Sequence, residues 1–493
     1  MTPYESLCSL AREIALLGST ASVLGWDQET FMPPGALNYR AQQLSSLSAK
    51  AHALATGRRF ASLLEKAEAQ TDSLTPTQMA NLREWRYERD RAARIPTALV
   101  AEESDVTTHA KHAWAEARKR SDYSLFAGHF AKIVQIARRK ATLWGFKDEP
   151  YDALLLGYER GATTRAIAEL FGKLKPKLVS IAKQATERSR SIHAGILRGN
   201  YPIAKQQQLN QEIAESIGFD FQSGRIDTTT HPFCTTLGPN DVRLTTRYDQ
   251  ADFTSSLFGV LHEAGHGLYE QGLPNPDFGL PSGTAVSLGI HESQSRLWEN
   301  HVGRSEVFWE KWLPRAAQLF PNLRKIELAD FLQAIHRSEF SFIRVEADEA
   351  TYDMHILLRF ELERSLLNGS LEIDSVPTAW NKAFTELFGK NPPNDANGCL
   401  QDIHWSMGGL GYFATYTLGN LNAAQLFQAA QKDKSVTSGI KAANYQPLLQ
   451  WLRKRVHAKG STLLPAELIT EATGTPLDPA PYLAHLRNRF TRN

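Results

Sequence analysis

The segment LFGVLHEAGHGLYEQG, Leu257–Gly272, carries two histidines four residues apart around a glutamate. On an α-helix such residues stand one turn apart on one face, so His262 and His266 can offer imidazole nitrogens to a single metal ion. Glu263 then lies beside that face, where its carboxylate can reach a water on the ion. The flanks favour helix: Thr254 and Ser255 are candidate N-caps, Leu257, Leu261 and Leu268 form an apolar stripe, and Gly272 before Pro274 is a stop signal. Gly265 and Gly267 oppose it, each costing ~1 kcal/mol relative to alanine in mid-helix. Their presence predicts that another backbone approaches this helix closely. A hydrolytic zinc site takes three protein ligands and keeps one position for water. In a chain with 15 histidines one such pair is not sufficient, and a third ligand must follow.

Beyond Gly272, LPNPDFGLPSG (Leu273–Gly283) has loop composition, and VSLGIHESQSRLWENHVG (Val286–Gly303) reads as a second helix ending at glycine. Glu292 on that helix follows His266 by a loop and half a helix, enough to fold back alongside the first and complete a His₂Glu set. His291 and Glu299 compete on the same helix, and position alone does not choose among the three.

Upstream, HPFCTTLGPNDVRLTTRYD (His231–Asp249) is the clear exception to a mostly helical chain. Gly238-Pro239-Asn240-Asp241 is turn chemistry between two short β-prone runs, which predicts a hairpin. In its second run Arg243, Thr245 and Arg247 alternate with apolar positions, so period 2 places two guanidiniums on one face of a sheet edge that could receive an extended peptide. Elsewhere the 3.6-residue period dominates: Met79–Phe146 with a break near Pro96, Thr163–Ile217, and Leu328–Leu367 all read as helical.

The whole is 493 residues with 42% hydrophobic content, enough for a substantial core, and no linker, repeat or low-complexity run divides it. A net charge of +2 gives no basis for a nucleic-acid or membrane-surface partner. Cys8, Cys234 and Cys399 are too few and too dispersed for a disulfide framework and point to a reducing compartment, with cytoplasm the default. Ile14–Gly25 is mildly apolar, but Glu5 and Glu13 precede it with only Arg12 supplying positive charge, and Leu7, Leu10, Ile14 and Leu17 fall at helical spacing, unlike a signal peptide. No run reaches the ~18 apolar residues of a spanning helix.

Five motifs in order, DVRLTTRYD, HEAGH, IHESQ, IRVEAD (Ile343–Asp348) and GCLQDIHW (Gly398–Trp405), resemble the carboxypeptidase Taq family of zinc metallocarboxypeptidases, a gluzincin-like HExxH group. WDQETFMPPG (Trp26–Gly35) resembles it too, so the likeness covers essentially the full length. It implies a mainly α fold: one domain over 1–493, a large helical body with a deep active-site groove and a small β-hairpin, as in neurolysin and angiotensin-converting enzyme. The metal-binding core would span about 231–303 and the substrate-binding segments about 341–355 and 398–416. The resemblance implies a homodimer and, matched residue by residue, His262, His266 and Glu292 as ligands of one divalent ion. Zinc is the first expectation, with cobalt compatible.

By the same matching Glu263 is the catalytic acid/base, Arg344 holds the substrate's terminal carboxylate, and His404 lies among active-site residues. Tyr352 and Tyr412 are candidate donors to the oxyanion, and Arg243 and Arg247 are reserve carboxylate readers. Asp348 and Asp402 are candidate carboxylates behind a metal-binding imidazole. Ala414 stands where proline is expected in relatives, a departure that touches loop rigidity rather than chemistry. The expected activity is release of single amino acids from the free C-terminus of peptides with broad specificity. The runner-up is a helical zinc oligopeptidase that cuts internally; a non-catalytic helical metal-binding scaffold is the other class, disfavoured because structural zinc sites take four protein ligands.

Overall fold

A computed structural model describes residues 1–193 and 195–491. Helix dominates, as the periodicity predicts, and the chain divides into two compact units, each assembled from separate stretches. The first comprises Met1–Ala92, Ala194–Ile335 and Asn422–Asp478; the second comprises Ala93–His193, His336–Leu421 and Pro479–Asn493.

In the first unit the histidine helix runs Phe253–Glu270, with Asp252 rather than Thr254 or Ser255 as its N-cap, accepting from the Thr254 amide. Leu257, Leu261 and Leu268 are buried in one large core with Trp298, Trp309 and Leu448. The glutamate helix spans Leu288–Arg296 and continues as a π-helical turn, Leu297–Val302, before Gly303. The two helices meet where the glycines predict. A Cβ on Gly265 would stand 2.6 Å from the Gln294 carbonyl oxygen and from the Ser295 Cα. One on Gly267 would stand 2.7 Å from the Phe219 ring and 2.9 Å from Leu244. Lost helix propensity is thus exchanged for backbone-to-backbone packing that brings Glu292 to the histidines.

The predicted hairpin is present as β2 (Cys234–Gly238) and β3 (Asp241–Thr246), with Asn240 in the left-handed region at φ 61°. Sequence reading missed β1 (Gly224–Thr228), which pairs parallel to β3 and makes it the central strand. Arg247 lies beyond the end of β3 and is exposed, so the anticipated pair of guanidiniums on one strand face does not form.

Two further expectations need correction. Leu328–Leu367 is not one helix: helices Leu328–Ile335 and Tyr352–Asn368 are separated by a segment whose only regular element is a 3₁₀ turn at Arg344–Glu346. The N-terminal helix, Pro3–Thr30, is long and apolar enough by length and composition to cross a membrane, with an 18-residue window of mean hydropathy 1.3. Counting uninterrupted apolar residues overlooks it because Ser, Thr and Gly break the run while lowering the mean little. Its opening turns are packed: Tyr4, Leu7, Leu10 and Ala11 bury against Phe60, Leu64 and Leu82.

Candidate metal centre and substrate pocket

The three rival third ligands sort themselves by the nitrogen they face. Glu292 Oε2 lies 3.7 Å from His262 Nε2 and 3.5 Å from His266 Nε2. Ligand atoms ~2.0–2.2 Å from a tetrahedral ion are separated by roughly 3.3–3.5 Å, so His262, His266 and Glu292 fit a divalent cation. Glu299 and His291 sit behind the imidazoles instead. Glu299 Oε2 accepts from His262 Nδ1 at 2.9 Å, and the His291 carbonyl accepts from His266 Nδ1 at 3.1 Å. Carboxylate and carbonyl can only accept, so each Nδ1 carries the proton and each Nε2 keeps its lone pair for a metal. The carboxylate behind an imidazole is therefore Glu299, not Asp348 or Asp402. Asp348 accepts from the Glu339 amide and the Thr351 hydroxyl, bracing its own loop.

Arg296 ties ligand to support. Its Nε donates to Glu292 Oε1 at 2.7 Å and its Nη1 to Glu299 Oε2 at 3.3 Å, while Arg304 Nη2 reaches Glu299 Oε1 at 3.3 Å. Burial would raise the Glu299 carboxyl, but Arg296, His262 and Arg304 outweigh it and bring it down to about 2. The ring of His291 continues outward: its Nδ1 is 2.5 Å from His266 Nδ1, and its Nε2 donates to Glu270 Oε1 at 2.8 Å, with the Thr236 hydroxyl on the other oxygen at 2.7 Å. Burial pushes Glu263 up to about 7, with the Glu292 and Glu299 charges acting in the same direction. A carboxyl poised there can both accept and return a proton near neutral pH. Burial, with His291 and His262 nearby, holds His266 well below the usual histidine range and therefore neutral.

In the second unit the sequence-predicted residues Arg344, Tyr352, His404 and Tyr412 come together around a buried guanidinium. Arg344 is 5% exposed; its Nε and Nη2 donate to Asp402 Oδ1 at 3.0 and 2.8 Å, and its Nη1 donates to the Tyr352 hydroxyl at 2.9 Å. The Gln401 side chain accepts from the Arg344 amide at 2.8 Å, so the GCLQDIHW segment folds around the arginine of IRVEAD. Tyr416 and Phe413 place their ring centres 5.0 and 5.6 Å from the guanidinium carbon. His404 packs on Tyr412 and Phe413, and burial holds it down at about 4 despite Asp402, so it is neutral at pH 7. Below them Glu363 is fully buried and accepts from Tyr151, Trp405 and the Gly411 amide at 2.8–3.0 Å. Ala414 is the first residue of the next helix, a position where proline is well tolerated.

Arg243 is engaged elsewhere. It forms a two-point pair with Asp241 and stacks 4.1 Å over the ring of Trp26 in the WDQET segment. Sequence reasoning also missed Arg359, which shares Asp402 with Arg344 from 43 residues away along the chain, beyond any local spacing signal.

The comparisons agree with this geometry. The family model for the carboxypeptidase Taq (M32) metallopeptidases matches residues 6–490. Thermostable carboxypeptidase 1 of Thermus thermophilus is 40% identical, covering 99% of both chains. Carboxypeptidase 1 of Bacillus subtilis is 34% identical over 99% of this chain and 98% of its own. A crystal structure of an M32 carboxypeptidase from Deinococcus radiodurans superposes with a TM-score of 0.96 at 36% identity, covering 99% of this chain and 98% of that one. A family match across nearly the whole chain, with relatives at this identity, makes the protein a metal-dependent carboxypeptidase belonging to the carboxypeptidase Taq family of metallopeptidases.

Proposed function

We propose that His262, His266 and Glu292 hold one divalent ion, zinc in the first instance, and that Glu263 is the acid/base of peptide hydrolysis. The observation that carries this is the convergence of three ligand atoms within 4.8 Å of one another beside a buried carboxyl. When bound, such an ion supplies a Lewis-acidic position that lowers the pKa of water toward ~7 and polarises the scissile carbonyl. Glu263 accepts the proton of the attacking water and returns it to the leaving amine. Glu299 and the His291 carbonyl fix the two imidazole tautomers, and Arg296 turns Glu292 so that one oxygen faces both histidines.

Arg344 receives the terminal carboxylate of the substrate, which makes the cut a single-residue release. A guanidinium held by Asp402 and Tyr352 among aromatic rings is preorganised and desolvated, the setting in which a charge-assisted pair is strongest. Tyr412, neutral His404 and Tyr352, whose hydroxyl accepts from Arg344 and keeps its own proton to donate, are the donors available for the oxyanion. A cytoplasmic homodimer is part of this reading, resting on the family resemblance and on three unpaired cysteines. Glu263→Gln tests the chemistry: it keeps one metal ion per chain while kcat falls ~10²–10⁴-fold. Near-normal turnover in that variant contradicts the assignment.

A further inference from the structure

The helix Tyr352–Asn368 buries Arg359 completely, at 0% exposure, so it cannot touch substrate. Its Nε donates to Asp402 Oδ2 at 2.7 Å, its Nη1 donates to the His355 carbonyl at 2.7 Å, and its Nη2 approaches the same Oδ2 at 2.5 Å without hydrogen-bond alignment. The guanidinium is sandwiched, its carbon 4.7 Å from the Trp380 ring centre and 5.3 Å from that of Phe413. Arg344 uses the other oxygen of Asp402. One carboxylate therefore bridges two guanidiniums, one oxygen to each.

Charge counting gives the bridge a purpose. Arg344 with Asp402 alone is a neutral pair, and an incoming carboxylate would meet a guanidinium already neutralised by a competitor in a medium of low dielectric. A second guanidinium on the far oxygen leaves the cluster with one net positive charge. Arginine supplies that charge because it stays protonated even when buried.

Building on the reading of Arg344 above, we propose that Arg359 is a specificity-determining positioning residue: it neutralises Asp402 from behind so that Arg344 keeps a full charge for the substrate's carboxylate. Arg359 acts only through Asp402. Its loss weakens capture of the free acid while leaving the metal centre as it was.

The test uses one peptide as free acid and as C-terminal amide, with native enzyme, Arg359→Met, Arg359→Lys, and the double variant Arg359→Met/Asp402→Asn. Metal content and circular dichroism are checked on each. In Arg359→Met, kcat/KM on the acid should fall on the order of 10- to 100-fold, mainly through KM, with the amide rate nearly unchanged. Arg359→Lys should recover part of the loss. The double variant restores net charge by removing the carboxylate and should regain preference for the acid, a recovery that a purely structural role does not produce. It leaves the buried Arg344 guanidinium without a carboxylate partner, so its fold is checked by circular dichroism, and Arg359→Lys, which keeps a cation beside Asp402, remains informative if Arg359→Met folds poorly. A native preference for the acid that survives in Arg359→Met, or a double variant that regains none, overturns the inference alone. A native enzyme indifferent to amidation overturns the Arg344 reading and this inference with it.

Discussion

Around His262 and His266 stand four carboxylates, Glu263, Glu270, Glu292 and Glu299, against two guanidiniums, Arg296 and Arg304. Around Asp402 the balance reverses, one carboxylate against Arg344 and Arg359. Each region buries charge of both signs, yet each keeps a surplus, negative around the histidines and positive around Asp402, opposite in sign to the dication and the carboxylate proposed for them. Internal pairing does not cancel the surplus; it holds the working group in place. Glu363 is the control within the second unit. It is buried as deeply as Arg359, it is met only by neutral donors, and burial pushes its carboxyl up to about 7. Asp402, slightly more accessible with a 10% exposed side chain, is held far below the carboxylate range, because Arg344 and Arg359 overcome the burial that would raise it.

The largest effect should come from Glu292→Ala. Two imidazoles alone hold zinc poorly, so the purified variant should contain no stoichiometric metal and show only background activity, with partial return in excess metal. A tightly bound ion in that variant, measured by atomic emission, would move the ligand role to another group. Glu299→Ala should be milder. It keeps all three ligands but releases the His262 tautomer, and loss of such a partner typically weakens metal binding by ~10–100-fold. Chelator competition measures this, and an unchanged metal affinity would show that the carboxylate surplus is not directed at the ion.

The smallest effect concerns the control. Because the folded Glu363 carboxyl titrates at about 7 against an ordinary 4.5, the folded state binds its proton more tightly than the unfolded chain. The stability this gives is fully present below the unfolded value and is lost as pH rises through about 7, in total about 3 kcal/mol as an order of magnitude. In Glu363→Gln nothing ionises at that position. The melting temperature of the native protein, relative to the variant, should therefore decline between pH 5 and pH 7.5. A constant difference would mean that the carboxyl is charged throughout and compensated by a cation.

The two regions also differ in how much of them the sequence discloses. Helical spacing brings His262, Glu263 and His266 together, and Gly265 announces the contact that delivers Glu292; both are short-range signals. Glu299 was visible only as a rival ligand, because spacing places it on the right helix without saying which nitrogen it faces. The arginine pocket has no such local code. Arg344 and Asp402 are 58 residues apart, and the segment carrying Arg344 has few helix breakers, so it reads as helix. Tertiary bonds from Gln401 to the Arg344 amide and to the Phe342 carbonyl hold it open instead. The strand β1 escaped for a similar reason: GRIDT has no alternation, and its parallel pairing with β3 depends on a partner beyond the hairpin.

Mass spectrometry of products from matched acid and amide peptides tests most directly the proposal that Arg344 reads a free C-terminal carboxylate. Native enzyme should release single residues from the free C-terminus and barely act on the amide, since leaving a buried guanidinium without its partner costs roughly 2–5 kcal/mol. Arg344→Ala should be slow on the acid and nearly indifferent between the two. Equal cleavage of acid and amide by the native enzyme, or undiminished preference in Arg344→Ala, would contradict the account.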